Sequence, residues 1–334
     1  MTERARPLVG IIIPTYNHGR YIEQAIASAQ NQTYEPKEII VIDDGSNDDT
    51  QARVGRFLGG VQYVRLEHRG VNAARNRGIE ISRGDFLAFL DADDMWLPNK
   101  LSKQMELMQR DPCVGLVGCG GYDMDPKGNI TSGPWLRADY PSRSKLLEAL
   151  SIIQIIPASA SGALVRRECF QAVGVFDEKL QIGEEWDMWL RLVKKYDARF
   201  VQEPLVVLRK GSSISSVMEE VDGGRVLAGP QREEFYVNKV IEKNIEGGMR
   251  KRAFAALYHR LGMWSLANAA NKQALRYLMK SIRLRPLGLY PNDIEKRYHY
   301  PKDSRYYLLM KAMVPGLWIT LLKKVRTRSA LVSK

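Results

Sequence analysis

The sequence has few of the residues that would indicate a disulfide-stabilised or metal-cage protein. Its 334 residues include three cysteines and four histidines. Cys113, Cys119 and Cys169 match no metal-ligand spacing, and an odd number of cysteines does not suggest a disulfide framework. We expect them to be buried, reduced thiols in a cytosolic protein. The histidines show no metal spacing either, so we predict structural roles for them.

Long hydrophobic runs are also missing. The longest uncharged apolar run near the C-terminus, residues 312–322, is too short to cross a bilayer and contains Pro315 and Gly316. The N-terminal stretch MTERARPLVGIIIPTYN has no apolar segment that ends in a small-residue cleavage site. We therefore expect neither a signal peptide nor a transmembrane helix.

Acidic residues are scarce in the last third of the chain. The whole sequence has a net charge of +12, but residues 225–334 contain 23 Lys and Arg against 7 Asp and Glu. The rest of the chain is therefore slightly acidic. This distribution fits a catalytic body with a basic appendage suited to an anionic surface, and we predict no nucleic-acid partner.

Short apolar segments alternate with helical patterns through the first hundred residues. The segments LVGIII, KEIIVIDD, VQYVRL and DFLAFLDADD read as strands, and we expect Pro14 to stop the first of them. YIEQAIASAQNQ and GVNAARNRGIEIS read as helices between them. Nearly continuous apolar strands that alternate with helices predict an α/β fold with a mostly parallel sheet covered on both faces.

Polar residues follow three of the predicted strands. They are Thr15 to Asn17, Asp43 with Asp44, and Asp91 to Asp94. Ligands of open α/β sheets bind at the carboxyl ends of the strands, so these residues are candidates for a binding site. The three carboxylates between Asp91 and Asp94 repel one another, and water, an arginine or a divalent cation has to compensate them.

Five stretches in this order resemble the inverting family 2 glycosyltransferases with a GT-A fold. They are VGIIIPTYNHGRYIEQAIASAQNQTY, EIIVIDDGSNDDT, GVNAARNRGIE, FLAFLDADDMWLPNKL and GEEWDMWLRL, and the resemblance covers roughly residues 8–216. It implies a Rossmann-like domain over residues 1–216. Its nucleotide-binding half would span about residues 8–100 and its acceptor half about residues 101–216.

The resemblance gives the acidic cluster a role in metal binding. Asp91-Ala92-Asp93 looks like the DxD motif of the family, in which Asp93 would ligate a metal and Asp91 would face the ribose or the metal. Mg²⁺ and Mn²⁺ both suit oxygen ligation by one or two carboxylates, a diphosphate and water. Asp94 would support either partner.

The same resemblance implies how the nucleotide is held. The turn of Pro14, Thr15, Tyr16 and Asn17 would hold the base, with Tyr16 stacked on it. Asp44 would accept the N3–H of a uracil or its equivalent, with Asp43 supporting the turn, and UDP is the expected nucleotide. The fork of Arg75 suits a phosphate or an aspartate of the metal site.

An inverting transfer needs a general base on the acceptor side. Members of the family commonly have Glu-Asp before Trp-Asp, whereas this chain has Glu184, Glu185, Trp186 and Asp187. Glu185 is the first candidate for the base and Asp187 the second. Trp186 is either an acceptor platform or core. Lys210 aligns with a histidine that completes the metal site in many relatives.

The C-terminal third reads as a separate helical region. Gly-rich residues 217–230 suggest a linker, and residues 231–334 a basic helical region. Within it, residues 253–286 predict a helix hairpin with Leu275, Leu278, Met279 and Ile282 on one face. The segment 306–328 fits either an amphipathic anchor on an anionic membrane or a helix that covers the core.

Three functions are therefore open at this level. The first is a metal-dependent glycosyltransferase that moves a sugar from a nucleoside-diphosphate sugar to a glycan or polyprenyl-linked hydroxyl. It would act in surface polysaccharide, O-antigen or glycolipid synthesis, in the cytoplasm or at the inner face of the cell membrane. The second is a nucleotidyltransferase, although PTYNHGR is a poor match to its basic phosphate loop. The third is a non-catalytic protein that binds an anionic surface.

Overall fold

The protein is described by a computed structural model for residues 6–137, 139–152, 154–211, 220–222, 225–227, 230–285 and 308. The chain divides into two compact units. Unit 1 consists of residues 1–150 and 154–218, and unit 2 of residues 151–153 and 219–334. The C-terminal segment for which two interpretations were given lies outside the described residues, except for position 308.

Unit 1 alternates strands and helices from its first strand onward. Its strands are β1 (Val9–Thr15), β2 (Lys37–Asp43), β3 (Gln62–Arg65), β4 (Phe86–Phe89), β5 (Met95–Trp96), β6 (Val114–Met124), β7 (Ile130–Trp135), β8 (Leu164–Arg166) and β9 (Asp197–Arg209). Its helices are α1 (Gly19–Gln30), α2 (Thr50–Val54), α3 (Val71–Ile81), α4 (Lys100–Arg110), α5 (Arg143–Leu150), α6 (Arg167–Val173) and α7 (Glu184–Lys195). A 3₁₀ turn, Gly55–Phe57, follows α2.

The strands form one sheet in the order β3-β2-β1-β4-β8-β6-β9-β5, with β7 paired to β6. The first four are mutually parallel, with Thr15 opposite Asp43 and Ile12 opposite Phe89. Strands β2 and β3 lie on one side of β1 and β4 lies on the other. The order therefore reverses between β1 and β4, and such a switch point opens a ligand crevice at the carboxyl ends of the strands.

Burial of the central strands confirms the predicted α/β fold. Every residue of β1 is buried, and so are all four residues of β4, which requires cover on both sheet faces. Pro14 does not stop the first strand, contrary to the prediction. The pairing with β4 ends at Ile12, whereas the pairing with β2 continues through Pro14 to Thr15.

The core of unit 1 contains an unusual cation. The Lys100 side chain is fully buried on α4. Its Nζ donates to Gln104 Oε1 at 2.8 Å and lies 3.9 Å from the centre of the Trp96 ring. Cys119 and Cys169 are buried free thiols, as expected, but Cys113 is exposed because it lies in the turn that precedes β6.

In its described residues, unit 2 is helical apart from a short antiparallel hairpin, β10 (Glu220–Asp222) with β11 (Arg225–Leu227), inside the predicted linker. Its helices are α8 (Pro230–Asn244), α9 (Gly247–Ala267) and α10 (Asn271–Leu284). Helices α9 and α10 form the predicted hairpin.

The α9–α10 hairpin is closely packed. Leu278 lies against Gly262, where an added Cβ would come within 2.8 Å of the leucine. Ser281 donates to the Ala255 carbonyl at 2.7 Å. Met279 is 38% exposed, so it does not belong to the buried face on which it was predicted. None of the helices in the described part of the chain is long and apolar enough to cross a membrane.

Candidate active site

The polar residues predicted to form a site meet at the carboxyl edge of the parallel strands. Thr15 ends β1, Asp43 ends β2 directly beside it, and Asp91 follows β4 on the other side of β1. The Asp44 N–H donates to the Thr15 carbonyl at 2.9 Å. Three separate stretches of sequence therefore form one polar crevice at the switch point of the sheet.

Asp43 holds the loop that follows β2. It is fully buried, and its Oδ1 accepts the Ser46 N–H at 2.8 Å. Its Oδ2 accepts the Tyr63 hydroxyl at 2.6 Å, which ties the loop to β3. Asp43 thus ties this loop together, and its part in nucleotide binding stays a prediction.

Asp44 organises the loop before α3. Its Oδ1 accepts the N–H of Arg69 at 2.9 Å, and its Oδ2 accepts the N–H of Gly70 at 2.8 Å. His68 Nδ1 lies 2.8 Å from the same Oδ2. Since each carboxylate oxygen has two lone pairs, an acceptor position on Oδ1 is left for a ligand donor.

The turn from Pro14 to Asn17 presents an aromatic face. The Tyr16 ring stacks on the His68 ring with their centres 4.1 Å apart. Asn17 has a left-handed backbone, and its N–H donates to Ser46 Oγ at 2.9 Å. Thr15 Oγ1 is buried and has no hydrogen-bond partner among the residues that the structure describes, so a polar group at this edge is left for a ligand to satisfy.

The acidic turn after β4 contains two kinds of carboxylate. Asp91 and Asp93 are partly exposed, at 31% and 15% of their side chains, whereas Ala92 is buried. Asp94 is buried as well, and it accepts the Ser161 hydroxyl at 2.7 Å and the Arg209 N–H at 2.9 Å. Burial and the neighbouring Asp91 and Asp93 raise the pKa of Asp94 well above its usual range. Asp94 thus holds the turn, and the other two aspartates remain partly accessible to solvent.

Arg75, on α3, joins the acidic turn to α7. Its Nη2 donates to Asp91 Oδ1 at 3.0 Å and to Glu185 Oε1 at 2.9 Å, and its Nη1 lies 3.4 Å from Glu184 Oε1. The arginine is almost fully buried. Burial opposes its charge, but the carboxylates of Asp91, Glu185 and Glu184 outweigh burial and raise its pKa. An arginine therefore compensates part of the negative charge of the acidic cluster.

Glu185 lies in the first turn of α7, beside Arg75. Its side chain is 12% exposed, and burial raises its pKa to about 8, against the opposing effect of Arg75. It also accepts the Ala160 N–H. A carboxyl group with a pKa near neutrality is suited to take up and release a proton.

The other two residues predicted from this motif lie in the interior. Asp187 is fully buried, and its Oδ2 accepts from Arg191 Nε at 2.8 Å and lies 2.7 Å from Arg191 Nη2. This pair leaves Asp187 without access to an acceptor, so the geometry favours Glu185 as the base. Trp186 is 4% exposed and donates through Nε1 to the Leu150 carbonyl at 2.6 Å. It is a core residue here and no acceptor platform.

The N-terminal half of the chain matches a known protein family. Residues 10–174 match the family model described as "Glycosyl transferase family 2". This part of the chain is a family 2 glycosyltransferase domain. An uncharacterized glycosyltransferase of Rickettsia typhi is 32% identical to the chain over 206 residues, which is 61% of this chain and 64% of that relative. The chain thus spans less than two thirds of the length of that relative.

Two solved structures share the fold of the chain. TarS 1–349 of S. aureus in complex with UDP superposes with a TM-score of 0.61 at 16% identity, covering 92% of this chain and 87% of that one. The mannosyltransferase PcManGT of Pyrobaculum calidifontis, in complex with GDP-Man and Mn²⁺, superposes with a TM-score of 0.53 at 20% identity. That match covers 94% of this chain and 88% of the mannosyltransferase.

The carboxylates of the acidic turn fit a metal site that a nucleotide completes. In the described residues no group of three or more His, Cys, Asp or Glu side chains is placed to hold a metal ion by itself. Asp91 and Asp93 supply two partly exposed carboxylates on one turn. Mg²⁺ and Mn²⁺ at phosphate sites are commonly bound by one or two carboxylates together with phosphate oxygens and water. The donor set present therefore fits such a metal.

Sequence reasoning missed several residues that build the site, and two of them hold the acidic turn. Arg209, at the end of β9, donates from Nε to the Asp93 carbonyl at 3.0 Å, and its guanidinium lies 4.3 Å from the centre of the Tyr21 ring. Ser161 contacts both Asp91 and Asp94. Each lies more than 65 residues from the acidic turn, and no local pattern marks either position. Lys210 is exposed, with its Nζ 3.5 Å from Asp123 Oδ1.

Proposed function

We propose that the protein is a metal-dependent inverting glycosyltransferase that moves a sugar from a nucleoside-diphosphate sugar to a hydroxyl acceptor. The catalytic domain would comprise residues 1–216. The observation that carries this proposal is the position of Arg75 between Asp91 and Glu185, at 3.0 and 2.9 Å. One side chain thereby brings the donor-side carboxylate and the acceptor-side base into a single crevice.

The nucleotide would occupy the edge formed by β1 and β2. Tyr16 offers a ring for stacking and Asp44 retains an acceptor position for a base N–H. Thr15 offers a hydroxyl that has no partner in the described part of the chain. TarS has been solved in complex with UDP, and PcManGT in complex with GDP-Man. UDP is the nucleotide we propose for this chain, because a uracil presents one N–H, which suits a single acceptor position on Asp44. Thymine presents the same N–H, so dTDP is tested beside UDP.

Asp93, with Asp91, would hold a Mg²⁺ or Mn²⁺ ion together with the donor diphosphate. The metal would act as a Lewis acid that neutralises the charge developing on the leaving diphosphate. Arg75 orients Asp91 through its 3.0 Å hydrogen bond. Arg209 fixes the backbone of Asp93, so that the turn needs little rearrangement when the donor binds.

Glu185 would be the general base. It would accept the proton of the acceptor hydroxyl as that oxygen attacks the anomeric carbon from the face opposite the diphosphate, which inverts the configuration. Arg75 and the Ala160 N–H hold the carboxylate in place. Arg75 also offers a positive charge that stabilises the ionised form.

The acceptor we propose is a glycan or a polyprenyl-linked sugar in cell-surface polysaccharide, O-antigen or glycolipid synthesis. The support is the charge of the last third of the chain, where 23 Lys and Arg outnumber 7 Asp and Glu. Such a region is attracted to anionic lipid headgroups, near which a polyprenyl-linked acceptor is held. We therefore propose peripheral association with the inner face of the cell membrane through residues 231–334.

Calorimetric titration tests the proposal. UDP, GDP and dTDP are titrated into the full chain with Mn²⁺, with Mg²⁺ and with EDTA, and Asp93→Ala is the control. Asp93 faces solvent in part, so its loss is expected to spare the fold. We expect UDP to bind in a metal-dependent manner and the variant to lose that dependence. If no nucleotide binds to the wild-type chain under any of these conditions, the glycosyltransferase proposal is wrong.

A further inference from the structure

A short turn, residues 158–162, lies between the acidic turn and Glu185. Ala158 and Ser159 both have a left-handed backbone, with φ of 55° and 51°. Residues other than glycine adopt this conformation at a cost, and the surrounding structure must enforce it. The turn directly precedes β8, which is hydrogen-bonded to β4 and β6 in the middle of the sheet.

The hydroxyl of Ser161 makes two hydrogen bonds to the acidic turn. It accepts the Asp91 N–H at 3.0 Å and donates to Asp94 Oδ2 at 2.7 Å. Ser161 is fully buried. A single hydroxyl group therefore fixes both the backbone at the first aspartate and the side chain of the third. Asp93, the expected metal ligand, lies between these two fixed points.

Other contacts hold the 158–162 turn in place. The Ser161 carbonyl accepts Trp96 Nε1–H at 2.8 Å. The Gly162 carbonyl accepts Gln104 Nε2–H at 2.8 Å, and both Trp96 and Gln104 are buried. On the other side of the turn, the Ala160 N–H donates to Glu185. Because the turn is anchored on three sides, its hydroxyl has a defined position before any ligand binds.

We propose that Ser161 is a positioning residue, which fixes the acidic turn in the geometry that binds the metal–diphosphate unit. This inference rests on the proposed function. Outer partners of metal ligands orient those ligands, and their removal typically lowers metal affinity by about 10- to 100-fold. Ser161 touches no substrate in this role and acts only through Asp91 and Asp94.

Ser82 provides a matched control within the same unit. It is also buried, and its hydroxyl donates to Glu38 Oε1 at 2.7 Å and accepts the Gly84 N–H at 3.1 Å. Both serines thus join a carboxylate to a backbone N–H. Only Ser161 does so at the acidic turn, so Ser82→Ala reproduces the structural loss without the proposed positioning role.

The test is UDP binding by calorimetry over a series of Mn²⁺ concentrations and in EDTA. If the nucleotide panel selects GDP or dTDP, that nucleotide replaces UDP. Ser161→Ala is expected to raise the Mn²⁺ concentration for half-maximal binding by about tenfold and to leave binding in EDTA unchanged. Ser82→Ala is expected to match the wild type in Mn²⁺ dependence while its melting temperature falls by a similar amount. Ser161→Cys, which keeps a hydrogen-bonding group but is a weaker donor and acceptor, is expected to lie between.

Two results would overturn the inference. One is a Mn²⁺ dependence of Ser161→Ala equal to that of the wild type. The other is an equal shift in Ser82→Ala, because the effect would then follow stability alone. If Ser161→Ala does not fold, Ser161→Cys carries the same comparison. Failure of the proposed function gives a different result from failure of this inference, because the wild-type chain would then bind no nucleotide with or without Mn²⁺.

Discussion

The Arg75 guanidinium lies 2.9 Å from the Glu185 carboxylate, and the arginine is almost fully buried. A buried arginine between carboxylates is strongly constrained, because removing it leaves negative charge without compensation. The pair lies in the proposed active site, and four of the five predictions below concern charged groups buried in or near it.

Replacing Arg75 with Met is expected to destabilise the protein by about 2–4 kcal/mol at pH 8. The loss should be smaller at pH 5, because Glu184 and Glu185 can then be protonated and no longer need a cation. Chemical denaturation at both pH values measures this difference. Arg75→Lys, which keeps the charge, is the control, and a pH-independent loss would contradict the electrostatic explanation.

Replacing Glu185 with Gln is expected to lower kcat by about 10²- to 10⁴-fold, because the general base is removed. Nucleotide affinity should stay near that of the wild type, since Glu185 faces the acceptor side. Steady-state kinetics together with UDP calorimetry separate these two effects. A Glu185→Gln variant with full turnover would refute the assignment.

Asp187→Asn is expected to act on stability. The substitution breaks the buried pair with Arg191, which also donates to the carbonyls of Val173 and Gly174. We expect a loss of about 2–4 kcal/mol in the free energy of unfolding. The folded fraction should keep the wild-type pH profile of kcat/KM. A changed profile would instead favour Asp187 as the base.

The pH dependence of kcat/KM is expected to follow Glu185. Its pKa in the free protein is raised to about 8, mainly by burial, so the deprotonated fraction of Glu185 increases as the pH rises towards 8. We expect kcat/KM to rise with pH up to about 8 and then level off. The free energy of unfolding has the opposite pH dependence. Because the Glu185 pKa is higher in the folded protein than in the unfolded chain, protonation of Glu185 favours folding at a pH below its unfolded-state pKa. This stabilisation is lost as the pH rises towards 8. Glu185→Gln should lack both effects.

Replacing Lys100 with Met is expected to stabilise the protein at pH 7. Burial lowers the pKa of Lys100 from 10.5 to about 8. Between pH 8 and pH 10.5 the lysine therefore keeps its proton in the unfolded chain and loses it in the folded protein. Wild-type stability should therefore increase from pH 8 to pH 10.5, by roughly 3 kcal/mol at most. Denaturation curves across this range should show the slope in the wild type and not in Lys100→Met. An equal slope in both proteins would show that Lys100 does not titrate in this way.

The strands and helices around the site could be predicted from the sequence because their patterns are local. β1, β2 and β4 are apolar runs, and α1 shows its buried face in Ile22, Ala25 and Ile26. The polar residues at the strand ends could be predicted as well, because they follow these apolar runs in the sequence. What could not be predicted is which distant side chains hold them, because Ser161 and Arg209 reach the acidic turn only through the order of strands in the sheet.

The second motif shows a different limit of sequence reasoning. The four residues Glu184 to Asp187 begin α7, and successive side chains of a helix point about 100° apart around its axis. Glu185 therefore faces the crevice, while Trp186 and Asp187 are buried. The motif alone does not say which face meets the crevice. The hydrogen bond from Arg75, on α3, to Glu185 identifies that face.

The pairing of β1 has a consequence for the motions of the site. β1 is hydrogen-bonded on both flanks as far as Ile12, and beyond that point only β2 accompanies it to Thr15. Backbone amides in a doubly flanked strand exchange with deuterium only on large-scale opening, whereas the ends of strands open in small local fluctuations. The ligand-facing end of β1 thus belongs to a part of the molecule that can open while its centre remains closed. Slowed exchange at Thr15 and Tyr16 would then report nucleotide binding directly.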